Sequence, residues 1–352
     1  MRQHLLSAFH PARCACALIM AVSPLAISAD NSQSLTILSL GGDYQKAQSS
    51  IWFQPFAHAS GITVKEGAGY NYAKLKVMIQ SGNVEADIID VSADTVAALN
   101  KDGLLEKIDW AAIPQDCQHG LPADMKKETA FPTIQWAMVM AYNSKTFPDG
   151  KGPKSWQDFW NTQSFPGKRG SIGATRPPVE QAALAENPDM AKLYPIDLKK
   201  AYEKIRQLGD QFVFSEGYAQ VAQNLASGET DMAILPNGRV TPLINNGVPV
   251  VINWNQHLRF PSFFVIPKGA PNKQNAMKFL AWVCHPNVIA QIAKPTSYGP
   301  INTDAYQFIA AEVAATLPGN PKTADLGRTA DTEWLSNARP QIARRWASLS
   351  LQ

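Results

Sequence analysis

Reactive and charged groups are scarce in this chain of 352 residues, which has four cysteines, six histidines and a formal net charge of only +3. No C-x-x-C and no H-E-x-x-H occurs, so the usual spacings of a zinc site are missing. His58, His119, His257 and His285 are scattered, and G-x-S-x-G is absent. The nearest approach to a phosphate-binding loop, Gly167-Lys168, has Thr162 where its first glycine must stand. Catalysis therefore has no motif behind it, and no cofactor is implied. Without a long Lys/Arg cluster there is no nucleic-acid surface. The apolar run from Cys14 to Ile27 is too short for a membrane span and is broken by Pro24. With 45% hydrophobic and 17% charged residues, extensive disorder is excluded.

What is present begins with Arg2 and Arg13 ahead of that apolar run, small residues near Ala29, and then polar Asp30-Asn31-Ser32-Gln33. This order predicts an export signal over residues 1–29. Arg13 interrupts the Leu-small-small run that lipid attachment to Cys14 or Cys16 would need, so a soluble mature protein is expected, periplasmic in a Gram-negative cell. Cys117 and Cys284 would remain after cleavage. An oxidising compartment permits a disulfide between them, and two separate buried thiols are the alternative.

The length suits two lobes. Leu35 to Leu40 reads as a strand leading through Gly41-Gly42-Asp43-Tyr44 into a helix, a place where free backbone N–H groups can meet a ligand. A second unit runs from Ile62–Lys65 into a helix with Leu75, Met78 and Ile79, and a third, Ala86–Val91, ends at Ser92-Ala93-Asp94. Such alternation predicts α/β architecture, with mostly parallel sheets flanked by helices and ligands beyond the carboxyl ends of strands. Gly42, Asp43, Tyr44, Ser92 and Asp94 fall there. Phe131–Asn143 reads as the first hinge strand. Beyond it, Ser155 caps a helix, and the strands at Gly170–Ala174 and Asp231–Leu235 deliver Arg176 and Arg239 to equivalent ends. The stretch Val248–Lys273 reads as strand, pocket wall, strand, placing Trp254, Asn255, Arg259, Phe260 and Ser262 where the lobes meet. Residues 30–138 plus 263–305 form one expected lobe, and 139–262 plus 306–352 the other.

The stretches A-D-I-I-D-V-S-A-D-T-V-A-A-L-N-K-D-G-L-L-E-K-I-D, M-A-Y-N-S-K-T-F, S-W-Q-D-F-W, F-V-I-P-K-G-A-P-N-K and S-Y-G-P-I-N follow one another in order. In this order they resemble the periplasmic solute-binding proteins of polyamine-type ABC transporters. The resemblance implies a type II-like periplasmic binding fold, with two lobes closing on hinge strands over one small molecule, and a monomer that docks on a membrane permease. It implies acids around a polyamine, yet here the return-strand acid falls on Ser262, its tryptophan neighbour on Phe260, the second-lobe acid near Arg176, and the tryptophan before Asn-Gly on Pro236, with Arg239 close behind. An acidic pocket has become basic, which suits a ligand carboxylate because a buried guanidinium needs an anion. Arg176 and Arg239 are the expected anchors, with Arg259 a third candidate. Asp94 stands where the family often has a tyrosine and could accept an ammonium group, or simply cap its helix. Tyr298 matches a pocket aromatic. A γ- or δ-amino acid would satisfy this set. Three alternatives stay open: a polyamine held by Asp43, Asp94 and Glu180; an enzyme on the same scaffold; and a ferric-ion carrier, for which Tyr70 and Tyr72, separated by Asn71, offer no adjacent tyrosine pair.

Overall fold

In the computed structural model, which describes residues 33–69 and 72–350, the strands join into one mixed sheet of order β2-β1-β3-β8-β4-β7-β5-β6. The strands are β1 Ser34–Ser39, β2 Thr63–Ala68, β3 Ile88–Ser92, β4 Phe131–Asn143, β5 Arg169–Ile172, β6 Phe212–Ser215, β7 Met232–Pro236 and β8 Val250–Val265. Short β9 (Gly299–Pro300) and β10 (Arg328–Thr329) pair with β4 and β8. The helices used below are α1 Gly42–Gln48, α2 Ala93–Lys101, α3 Val179–Glu186, α4 Leu198–Arg206, α5 Tyr218–Ser227, α6 Asn237–Asn245, α7 Lys273–Val283 and α8 Thr332–Ser350. The proposed export signal lies outside the described residues, as do Tyr70 and Asn71.

Within each half the sheet is parallel, β1 with β2 and β3 and β5 with β6 and β7, as strand-helix alternation requires. The halves are joined by β4 and β8, long antiparallel partners that make the whole sheet mixed. Here the expectation of two short strands around a pocket wall gives way. Residues 250–265 form a single strand, because β4 runs alongside and satisfies the backbone through the polar middle. The ladder is irregular between Pro132 and Gln135 and between Met138 and Met140, and Gln256 takes φ of 58° near the second break.

Hydrophobic packing separates the same halves. Trp52, Phe56, Phe264 and Phe279 pack together beside β1 and α7, and Val96 and Leu99 of α2 pack with Ile89, Val91 and Phe263. In the other half Trp156, Phe159, Tyr202 and Phe212 form a cluster that also receives Trp334, Leu335, Ala338 and Trp346 of α8. Ser155 caps its helix as expected from sequence, and Asp158 completes a reciprocal capping box, so Trp156 enters the core as the first residue of that helix. Cys117 and Cys284 are bonded, with Cα atoms 5.3 Å apart, which settles the choice left open above in favour of a disulfide.

Arg169 is buried without a carboxylate partner among the described residues; its Nε donates to the Phe159 carbonyl at 2.9 Å and its Nη atoms to those of Gly167 and Phe165. Burial pushes its pKa down to about 10, with Asp231 opposing, so it remains charged at neutral pH. These bonds pin the start of β5 to the loop before it. The carboxyl end of β5, from which Arg176 departs, is fixed in consequence.

Candidate functional site

Between the halves lies a cavity of about 300 Å³, lined on one side by Ser92, Ala93 and Asp94 and on the other by Ile172, Thr175, Arg176, Tyr218, Leu335 and Arg339. Its floor is Trp136 of β4 and Phe260 of β8, register partners whose rings stack at 4.5 Å and 24°. The guanidinium of Arg176 stands 4.3 Å above the Phe260 ring, within range of a cation–π contact. Arg176 sits in the irregular turn after β5, where Pro177-Pro178 delays the start of α3. Its Nη2 donates to Glu180 Oε2 at 2.6 Å, and Tyr194 Oη donates to the other oxygen, Oε1, at 2.5 Å. Both oxygens of this buried glutamate are thus occupied. Burial is the largest influence on Arg176 and would lower its pKa, but Glu180 together with Tyr218, Tyr194 and Asp94 outweighs it and the pKa rises, so the group is a permanent cation.

Tyr218, at the start of α5, aims a buried hydroxyl at this region that has no hydrogen-bond partner among the described residues. Burial pushes its pKa up to about 12, with Arg176 opposing. An orphaned hydroxyl beside a cavity marks a place where something else can bond. Opposite, Asp94 lies in the first turn of α2; Ser92 Oγ donates to its Oδ1 and Arg339 Nη2 to its Oδ2. The N-cap, Ser92, makes no side-chain cap, and no hydrogen bond between the Asp94 carboxylate and the backbone of this turn is found among the described residues.

The structure therefore brings Ser92, Asp94, Arg176 and Phe260 to one place. Ser262 is buried on β8 opposite Ser92, and the cavity is lined by its neighbour Pro261. Arg239 does not reach the cavity. α6 begins directly at Asn237, so residue 239 falls in its first turn, exposed, close enough to Tyr298 for its charge to oppose the burial that raises that phenol's pKa, and without an ion pair among the described residues. Arg259 turns instead to the Ala324 carbonyl, at 2.5 Å. Trp254 packs beside Ile252 on the Val139–Leu235 cluster and edge-on to His257 at 5.4 Å. Asp43 is exposed and pairs with Lys46 at 3.0 Å, and Gly42 borders a separate recess.

Tyr44 and Tyr298 form a second group, their rings 5.8 Å apart. Tyr298 closes over Gly238 so tightly that a Cβ there would lie 2.4 Å from the ring. Beside this contact buried Asn237 donates to the Ser297 carbonyl at 2.5 Å and accepts from Ala137 N at 2.9 Å, tying α6 to both β4 and the turn before β9. Tyr44 donates at 2.9 Å to Asp90, a fully buried carboxylate that also accepts from Gln48 at 2.7 Å and keeps Oδ1 unpartnered. Burial pushes the Asp90 pKa up to about 6. Because this lies above the unfolded value, the group's contribution to stability is full below about pH 4 and is lost as pH rises through 6, at a cost of about 3 kcal/mol by pH 7.5. Asp90→Asn should abolish that fall, seen as a flatter unfolding free energy between pH 4 and 7 in urea titrations; an unchanged slope would assign the titration to another group.

Trp136, Tyr218 and Arg339 were not singled out from the sequence. The Trp136–Phe260 stack depends on strand register, and Arg339 comes from a helix whose apolar spacing signals only packing.

This cavity, set where paired strands cross between two α/β halves, defines a two-lobe binding protein. A family model described as bacterial extracellular solute-binding protein matches residues 52–321, and the chain belongs to that family. It is a periplasmic solute-binding component of an ABC importer, binds a small organic ligand and is not an enzyme. The chain is 32% identical over 327 residues to the gamma-aminobutyric acid-binding protein of Pseudomonas aeruginosa, covering 90% of this chain and 92% of that one. It is 25% identical to the spermidine/putrescine-binding periplasmic protein of Escherichia coli K12 over 69% of this chain and 70% of that one. Among solved structures, the Atu4243-GABA receptor superposes with a TM-score of 0.80 at 32% identity, covering 89% of this chain and 96% of that one.

Proposed function

We propose that the ligand is a small zwitterion of the ω-amino-acid type, its carboxylate on Arg176 and its ammonium on Asp94. The observation that carries this reading is the placement of one permanent cation and one carboxylate on opposite walls of a cavity of about 300 Å³, with Tyr218, whose hydroxyl has no partner among the described residues, on the arginine's wall. That volume is at the small end for ligand pockets and fits a compound of a few carbons. Only one of the arginine's five donors is used by Glu180 at 2.6 Å, leaving the fork free for a second anion. Support also comes from the names of two relatives that bind γ-aminobutyric acid. A polyamine needs two acids, and Glu180 has both oxygens engaged.

Residues 1–29 would be the export signal and the mature protein a monomer that hands its cargo to an inner-membrane permease. The lobes, 30–138 plus 263–305 and 139–262 plus 306–352, would close on β4 and β8, and the ligand would stabilise the closed form by touching both. Calorimetry and thermal shift with γ-aminobutyrate, 5-aminovalerate, putrescine and spermidine test the ligand class. The two amino acids should raise the melting temperature, by the equivalent of about 2.7 kcal/mol at a hundredfold excess over Kd. Binding of the diamines alone would overturn the assignment.

A further inference from the structure

Both oxygens of Asp94 are engaged within the protein. One of its oxygens accepts from Ser92 and the other from Arg339, which belongs to the opposite half of the molecule. α2 is rooted in the cluster of Val96, Leu99 and Phe263, whereas α8 is rooted through Trp334, Leu335 and Ala338 in the cluster of Trp156 and Tyr202. The pair therefore bridges the cleft. Its two ends differ: the Arg339 side chain is 70% exposed and the Asp94 side chain 23%. The guanidinium reaches in from solvent and can swing back to water at little cost, while the carboxylate stays against the cavity wall. Arg339 also lines that cavity, so a ligand cation arriving at Asp94 must enter the space the guanidinium now fills.

We propose that Arg339 is a built-in competitor for the ligand's cationic end and thereby a specificity-determining residue. This inference rests on the assignment of the ammonium to Asp94. Arg339 latches the two halves together through Asp94. A ligand with a correctly placed ammonium displaces it, and the freed guanidinium faces the cavity mouth. A compound with a carboxylate at each end leaves the latch without a rival at Asp94 and recruits Arg339 to its second carboxylate. The residue thus taxes zwitterions slightly and favours dianions, and the contrast in sign between the two ligand types is its signature.

The test uses the full mature protein with Arg339→Gln, and Arg339→Lys as a control that keeps the charge. γ-Aminobutyrate and glutarate, which have similar lengths, are the probes in calorimetry. Energy transfer between dyes on α5 and α7 reports the separation of the halves without ligand. An exposed ion pair shifts an equilibrium by up to about fivefold. Arg339→Gln is therefore expected to bind γ-aminobutyrate roughly fivefold more tightly and glutarate more weakly, and to populate wider dye separations when empty, while Arg339→Lys stays near the parent in all three. Weaker or unchanged γ-aminobutyrate binding in Arg339→Gln would overturn the competitor role, and an unchanged separation would overturn the latch. If the parent protein binds neither probe, the ligand assignment fails with it, and the dye measurement still decides whether the latch exists.

Discussion

Arg176→Met should lose ligand binding by at least about a hundredfold, on the order of 3 kcal/mol, in calorimetry. Methionine preserves much of the packing over Phe260 but removes the charged fork that meets the carboxylate, and truncating one member of a desolvated charge pair costs about 2–5 kcal/mol. The same substitution strands Glu180, whose side chain is only 2% exposed and would retain Tyr194 alone. A buried carboxylate that loses its cation is strongly destabilising, by about 3–5 kcal/mol. Two effects are thus superimposed, and Glu180→Gln separates them. The double variant Arg176→Met/Glu180→Gln should regain most of the stability, read from urea unfolding, without regaining binding. Parent-like affinity in the single variant would remove Arg176 from the site.

Loss of the Cys117–Cys284 bond should lower the melting temperature by about 7 °C and leave affinity untouched. The bond spans 167 residues of sequence. On the chain-entropy model a loop of that size is worth about 5 kcal/mol. For a chain of this length such a loss corresponds to about 7 °C. Both cysteines pack with Ile113, Val283 and Ile289 in the cluster beside β1, on the side of β3 away from Val96 and the α2 wall. Cys117→Ala/Cys284→Ala, compared with the oxidised parent by calorimetric melting and by ligand titration, checks both halves of this expectation. A fall in affinity as large as the fall in stability would mean that the bond also shapes the cleft.

The alternation of strands and helices was legible because it depends on local periodicity: Ala276, Phe279, Leu280 and Val283 lie at helical spacing in α7, and all four are buried. Ser155 announces its own helix cap. Less was legible wherever distant segments decide. The polar middle of β8 looks like a break until β4 lies beside it, and the pairing of Cys117 with Cys284 depends on a fold that brings residues 167 apart in sequence together. Arg176 and Arg239 looked alike as strand-end arginines. They part because Pro177-Pro178 holds residue 176 in an inward turn, whereas the helix starting at Asn237 leaves residue 239 exposed in its first turn. Arg339 had no local signature at all, since its meaning comes from Asp94 on another helix 245 residues away.

The two irregularities in the β4–β8 ladder have a consequence for what counts as cargo. Between them Gln135, Trp136, Ala137 and Met138 stay in unbroken register with Pro261, Phe260, Arg259 and Leu258, so the stacked rings beneath Arg176 rest on a regular panel. A carboxylate held by Arg176 alone touches one half, and contacts equal in two states move no equilibrium. The contact between the halves is then decided at the far wall, by what reaches Asp94. A short acid such as acetate would sit on Arg176 and leave the Asp94–Arg339 pair as it stands, so only a guest long enough to reach both walls changes how the halves are joined.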